Sequence, residues 1–451
     1  MPVETGSFDA VRGIGALVVA ASHWTNEFRF QRYYLGANNA VAMFILMSGF
    51  VMAVAYGDAK KLEAVGFSQR FWVRRVSRIG PLYWLSLVPF VGLVLQWGRL
   101  DFDLLAPVLG TRWSIPAAFF SMITFTQGWT WLGFHDIQAI NVPLWTVCAQ
   151  ATCYVACPTL LRTLYLPLRR PLCLFVLQIL GLWLLYLALW FGTGVLYWHW
   201  VNVFAFPYCR AATDCDWVYM STSGPPDVGQ GYYAAHKHPL NKVALFAMGM
   251  LCGLQATSKP AEPLLDGGKS AKAPLGNRGT SSVTGGSLGW KLVCDALSVV
   301  NLGWVVAVTY VLHSHPMALL VGRWTPLLLG ELFLPLANAA WLYMLTQAHL
   351  APSAAALRAW PLRWLGRISF AVYCLHWPTM EYYCWARFGE LWIEHRLDAS
   401  KLLRPWDSGL VAILVMAVSW AGSSIERHCQ GWLQERLTRL LSTTQTETVL
   451  H

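Results

Sequence analysis

Long apolar stretches separated by short polar ones run along nearly the whole 451-residue chain. They cover residues 10–24, 39–56, 79–97, 143–161, 172–197, 240–255, 292–312, 326–347, 365–385 and 408–425. Most approach the ~20 residues an α-helix needs to cross a hydrocarbon core. The apolar residues come in runs, not in the alternation of an outer-membrane strand. The pattern predicts an all-α integral membrane protein, a polytopic bundle of about ten transmembrane helices. A further apolar segment, 104–132, is broken by Gly110, Arg112, Pro116 and Gly128. It is expected to be re-entrant or peripheral, since irregular backbone at membrane depth needs protein or water to satisfy it.

Composition strengthens this reading. Hydrophobic residues make up 56% of the chain and charged residues 12%, and the mean hydropathy is +0.43. A soluble domain carries roughly a quarter charged residues, so a soluble multidomain enzyme, a disordered scaffold and a disulfide-stapled secreted module are excluded. The net charge of +10 follows from basic residues that anchor helices on the cytoplasmic side; no nucleic-acid partner is expected.

The loop charges also orient the chain. With 104–132 not crossing and the N-terminus cytoplasmic, 20 of the 33 Lys and Arg residues fall on the cytoplasmic side and 12 outside, with Arg12 in the first span. Both termini are then cytoplasmic. A crossing by 104–132 would move the Arg162/Arg169/Arg170 and Lys259–Lys291 clusters outside. The expected organisation is one membrane domain over 1–430, with an extracytoplasmic loop at 199–239, a flexible Gly/Ser/Pro/Lys-rich cytoplasmic loop at 257–290 and a short cytoplasmic tail at 431–451. The first stretch follows Glu4 and Asp9 instead of a basic n-region, so it reads as a retained span, not a cleaved signal.

A charged group inside a span is costly, by ~2.5–3.5 kcal/mol on insertion scales, and is a functional candidate for that reason. Arg12 and His23 share the first span. Eleven residues correspond to about three turns, so both occupy one face, ~16 Å apart along the axis. Arg74, Arg75 and Arg78 cluster at the cytoplasmic end of the third span, suited to bind phosphate through planar, permanently charged forks. Cys209 and Cys215, six apart in the outer loop, are expected to form a disulfide there. No set of residues converges on a metal site.

Around these residues the chain reads Phe8-Asp-Ala-Val-Arg12-Gly-Ile-Gly, Ser22-His23, Phe44-Ile-Leu-Met-Ser48-Gly49-Phe50 and Arg74-Arg75-Val-Ser-Arg78-Ile-Gly-Pro81-Leu-Tyr83. Further on come Pro143-Leu-Trp145-Thr with Tyr154, Leu365-Gly366-Arg-Ile-Ser369 and Leu375-His376-Trp377-Pro378. In order and spacing these blocks resemble the membrane acyltransferase 3 family, from Phe8 to about Glu426. The resemblance implies transfer of an acyl group, usually acetyl from acetyl-CoA, to an extracytoplasmic hydroxyl, most often on a carbohydrate. It implies a catalytic role for His23. Arg12 and the Arg74/Arg75/Arg78 cluster would handle the acyl-CoA donor, with Arg12 also counted in the catalytic pair. Ser48, Tyr83, Gln150, Glu331 and His376 are candidates for lining the site. The chain departs from the family at Gln150, where a carboxylate is common; an amide cannot accept a proton or balance an imidazolium. Two other readings stay open: a proton-coupled transporter or channel using Arg12 and His23, and a catalytically inactive relative with a binding role.

Overall fold

The computed structural model describes residues 5–27, 34–97, 120–129, 141–165, 170–200, 235–258, 288–313, 325–389 and 404–448. Among these every regular element is helical. In chain order the helices are α1 (Gly6–Glu27), α2 (Tyr34–Tyr56), α3 (Ala59–Glu63), α4 (Phe67–Trp97), α5 (Trp145–Leu164) and α6 (Leu172–Trp200). They continue with α7 (Pro239–Thr257), α8 (Leu288–His313), α9 (Thr325–Gln347), α10 (Pro352–Leu357), α11 (Trp360–Phe388) and α12 (Pro405–Thr448). Short 3-10 turns lie at Gln127–Trp129 and Val142–Leu144.

Ten of these helices have 19 residues or more, one for each apolar stretch of the sequence. By length and composition alone, three windows among the described residues qualify to cross a membrane: Ala37–Tyr56, Leu172–Leu196 and Trp406–Leu441. The expected ten spans therefore go beyond what hydropathy supports. Polar side chains inside the other helices explain part of the gap: α1 holds Asp9, Arg12 and His23, and α4 holds four arginines. The segment expected to be a short tail is also different in form, because α12 continues unbroken to Thr448.

Two helix pairs form the frame, α2 with α7 and α1 with α11. Both crossings depend on glycine. A Cβ on Gly249 would stand 1.8 Å from the Leu46 carbonyl oxygen, and one on Gly366 would stand 2.0 Å from that of Asp9. Small residues let backbones approach where dispersion and packing, not the hydrophobic effect, must hold helices together in lipid. Along the first pair Leu46 lies by Gly249 and Phe50 by Gly253. Along the second Gly13 lies by Gly366 and His23 meets His376, both at an offset of 353 positions. In each pair the two helices therefore run parallel.

Proline inside a helix removes an N–H and leaves the carbonyl four residues earlier without its bond. Two such carbonyls are taken by side chains of other elements. Pro378 releases the Cys374 carbonyl, which accepts from Asn141 Nδ2 at 3.1 Å. Pro158 releases the Tyr154 carbonyl, which accepts from the Trp72 indole at 3.2 Å. The described part of the broken apolar segment, 120–129, is held against α4 in the same manner. Tyr83 donates to the Met122 carbonyl at 2.6 Å and Trp84 to that of Ile123 at 3.2 Å. Most of the segment, the core of the 199–239 and 257–290 loops, and Cys209 and Cys215 with their expected disulfide lie outside the described residues.

Candidate active site

Two buried hydrophobic clusters meet along the centre of the bundle, one built mainly on α2 and α7 and the other on α1, α4 and α11. Phe44 and Tyr154 pack against both. Between the clusters is a cavity of about 490 Å³, within the usual range for a small-molecule site. Arg12, Arg75, Arg78 and Arg367 reach it from α1, α4 and α11, and Gln430 of α12 closes on the same side. Its remaining wall is largely apolar, with Ser48, Thr146, Gln150, Tyr154, Ser369 and Tyr373 as the uncharged polar groups.

Three of the four arginines have identified neighbours, each of a different kind. Arg75 donates to the Tyr56 hydroxyl at 3.1 Å. Its guanidinium lies 5.7, 5.8 and 5.9 Å from the rings of Tyr56, Phe71 and Tyr154, distances at which the ring quadrupoles attract a cation. Arg12 pairs with Asp9 one turn earlier. Glu426 lies within electrostatic reach of Arg78. The cavity keeps an excess of positive charge at one end, in fork-shaped groups suited to phosphate.

Away from the arginines the cavity wall carries no charged side chain, and Lys237 acts on His23 from outside it. By the axial rise of an α-helix, Tyr373 and His376 lie ~9 and ~14 Å further along α11 than Arg367. His376 Nδ1 donates to the Val372 carbonyl at 2.9 Å, which leaves its Nε2 to accept. That nitrogen is 3.1 Å from His23 Nδ1, so His23 donates through Nδ1 and carries its lone pair on Nε2. Both rings are buried, with Trp377 edge-on to His23 at 5.5 Å. A neutral imidazole held in this tautomer by a second, carbonyl-fixed imidazole is arranged as a base. His238 caps the start of α7. Burial pushes its imidazole down to about 4, so at neutral pH its Nδ1 accepts from the Leu240 N–H.

The residues singled out from sequence separate into distinct groups. Arg12, Arg75, Arg78, Ser48 and Gln150 all line the cavity. His23 and His376 meet beyond Tyr373. Gln150 donates to Ser48 Oγ at 2.8 Å, and Ser48 lies 3.3 Å from the Tyr154 hydroxyl. Gln150 therefore belongs to the arginine chamber, while His23 pairs with His376 and also bonds the Val19 backbone. Arg74 is exposed and does not line the cavity. Tyr83 is fully buried and anchors the 120–129 segment. The Glu331 side chain lies outside the described residues. Arg367, Thr146 and Tyr373 were not expected as site residues. Each stands within or two residues before a quoted motif block, and only the packing of the Val142–Leu144 turn on α11 brings the last two together. Among the described residues no three His, Cys, Asp or Glu side chains gather as metal ligands.

The family model described as an acyltransferase domain matches residues 5–423, nearly the whole chain. No curated protein and no solved structure matches it.

Proposed function

The chain belongs to this acyltransferase family, and from that premise we propose that it moves an acyl group, acetyl in the first instance, from cytoplasmic acyl-CoA to an extracytoplasmic hydroxyl, with a carbohydrate as the acceptor class. In this reading it is a multi-pass protein with both termini cytoplasmic. The observation that carries the reading is the polarity of the interior: arginines gather at one end of a cavity and a neutral imidazole pair lies past the other. The polyanionic head of CoA pairs with Arg75, Arg78, Arg367 and Arg12. The pantetheine arm follows the apolar wall and brings the thioester toward Tyr373 and His23.

The acceptor oxygen attacks the thioester carbon while its proton passes to His23 Nε2. The carbonyl electron pair moves onto oxygen. When the tetrahedral intermediate collapses, the C–S bond breaks and the thiolate takes the proton from His23. The products are the ester and free CoA thiol. Arg12, paired with Asp9, acts on the donor.

Purified protein supplied with acetyl-CoA and a panel of glycans tests the reading, wild type against His23→Ala. The variant should lose transfer by at least 100-fold, the lower part of the range for a general base, with CoA binding retained. A loss below tenfold removes His23 from the chemistry. A wild type that binds CoA yet transfers nothing, and gains nothing from Gln150→Glu, favours the inactive relative.

A further inference from the structure

At the end of the cavity, two hydroxyls from different helices compete for one carbonyl. Thr146 of α5 and Tyr373 of α11 are both buried and both line the cavity. Thr146 Oγ1 hydrogen-bonds the Tyr373 hydroxyl. Each also lies within reach of the Pro143 carbonyl, Thr146 at 3.0 Å and Tyr373 at 2.9 Å. That carbonyl already accepts the Trp145 backbone N–H, so of its two lone pairs one remains for two hydroxyl protons. Two arrangements satisfy the group within itself: Thr146 donates to Tyr373 and Tyr373 to Pro143, or Tyr373 donates to Thr146 and Thr146 to Pro143. In the second the carbonyl no longer needs the phenolic proton, which is free to leave the Thr146 oxygen for a stronger acceptor in the cavity as the two oxygens ease apart.

The position of Tyr373 gives that proton a use. Its ring contacts the His376 ring at a centroid distance of 6.1 Å, with His23 directly beyond. It is the polar group of the cavity wall that adjoins the imidazole pair. We infer that Tyr373 is the oxyanion donor of the acyl transfer: its phenolic proton bonds the thioester oxygen as the C=O pair moves onto it, and Thr146 frees that proton by turning to the Pro143 carbonyl. No proton leaves Tyr373. The net reaction is unchanged, the acceptor proton going by way of His23 to the departing thiolate. The inference rests on the acyl-transfer reading, and its tests separate the two.

Loss of one oxyanion donor in other enzymes costs about 10²–10³ in kcat. Tyr373→Phe should lower kcat by about 100-fold and leave the KM for acetyl-CoA within threefold. Thr146→Val should follow it, while Thr146→Ser, which keeps the turning hydroxyl, should stay near wild type. A Tyr373→Phe enzyme with kcat within threefold of wild type overturns the inference while leaving acyl transfer established. Binding supplies a measurement independent of turnover. A CoA analogue with a ketone in place of the thioester should bind Tyr373→Phe several-fold more weakly than wild type, and S-ethyl-CoA, which lacks the carbonyl, should bind both equally. Equal losses for the two analogues would mean that Tyr373 only shapes the cavity. If wild type transfers nothing, the transferase reading falls, and the analogue pair alone decides whether Tyr373 addresses a carbonyl.

Discussion

Gln150 shows how far a residue's meaning depends on its neighbours. At the position where a carboxylate would be expected, it bonds Ser48 inside the arginine chamber, and His23 takes its orientation from His376. A carboxylate in the cavity that Arg12 and Arg75 line would offset part of their charge; an amide leaves it intact. In the proposed mechanism His376 acts through His23, as a positioning residue. His376→Gln retains a side-chain acceptor and His376→Leu does not. The Leu variant should therefore lose at least tenfold more transfer rate than the Gln variant, at equal CoA affinity. A purely packing role for His376 reverses or removes that order, since Leu fills the buried site without an unpaired polar atom.

At the scale of the element, the His-Trp-Pro block is intelligible as a break in α11. Pro378 cannot donate, Asn141 takes the orphaned Cys374 carbonyl, and two residues beyond that carbonyl His376 faces α1. Asn141 caps the 3-10 turn whose Pro143 carbonyl lies within reach of both Thr146 and Tyr373, so one turn supports both the break and the hydroxyl pair. Asn141→Ala should destabilise the protein by about 1–3 kcal/mol, the cost of a buried polar group left unsatisfied, measured as a lowered thermal midpoint in detergent. It should also reduce transfer more than it reduces CoA binding, because the arginines belong to other turns. An unchanged midpoint would mean water takes the carbonyl instead.

For the whole molecule, helix direction bears on topology. α1 runs parallel to α11, and α2 to α7. If the ten long helices each cross once and no other segment does, α1 and α11 point the same way and so do α2 and α7, in agreement with these parallel pairs. The cytoplasmic excess of Lys and Arg favours the same arrangement. In sealed inside-out vesicles an impermeant thiol reagent should modify Lys269→Cys and spare Thr222→Cys, with the reverse in right-side-out vesicles. Acetyl-CoA should bind only to the inside-out preparation, with an affinity that falls as salt rises. Arg75→Gln together with Arg78→Gln should weaken that binding at least tenfold and flatten its salt dependence. Labelling at 269 from the outside would reverse the orientation and separate the arginine chamber from cytoplasmic donor.

Much of this was legible in the chain alone. Runs of apolar residues set the positions of the ten long helices, because helix formation in lipid is decided locally: each backbone bond closes four residues away and needs no partner segment. The spacing of Arg12 and His23 put them on one face for the same reason. Expected helix ends were less well marked, as in the continuation of α12 to Thr448, where polar residues after the apolar run are as compatible with helix as with tail. What only the tertiary structure decided was partnership. Nothing local relates His23 to His376, Thr146 to Tyr373 or Arg12 to Arg367; the α1 and α11 residues meet because Gly13 and Gly366 let those parallel helices approach to backbone contact, and Thr146 meets Tyr373 at the Pro143 carbonyl. A side chain's chemistry is written in its residue type, but its tautomer, its proton's direction and the charge around it are set by groups hundreds of positions away, brought within 3 Å by packing.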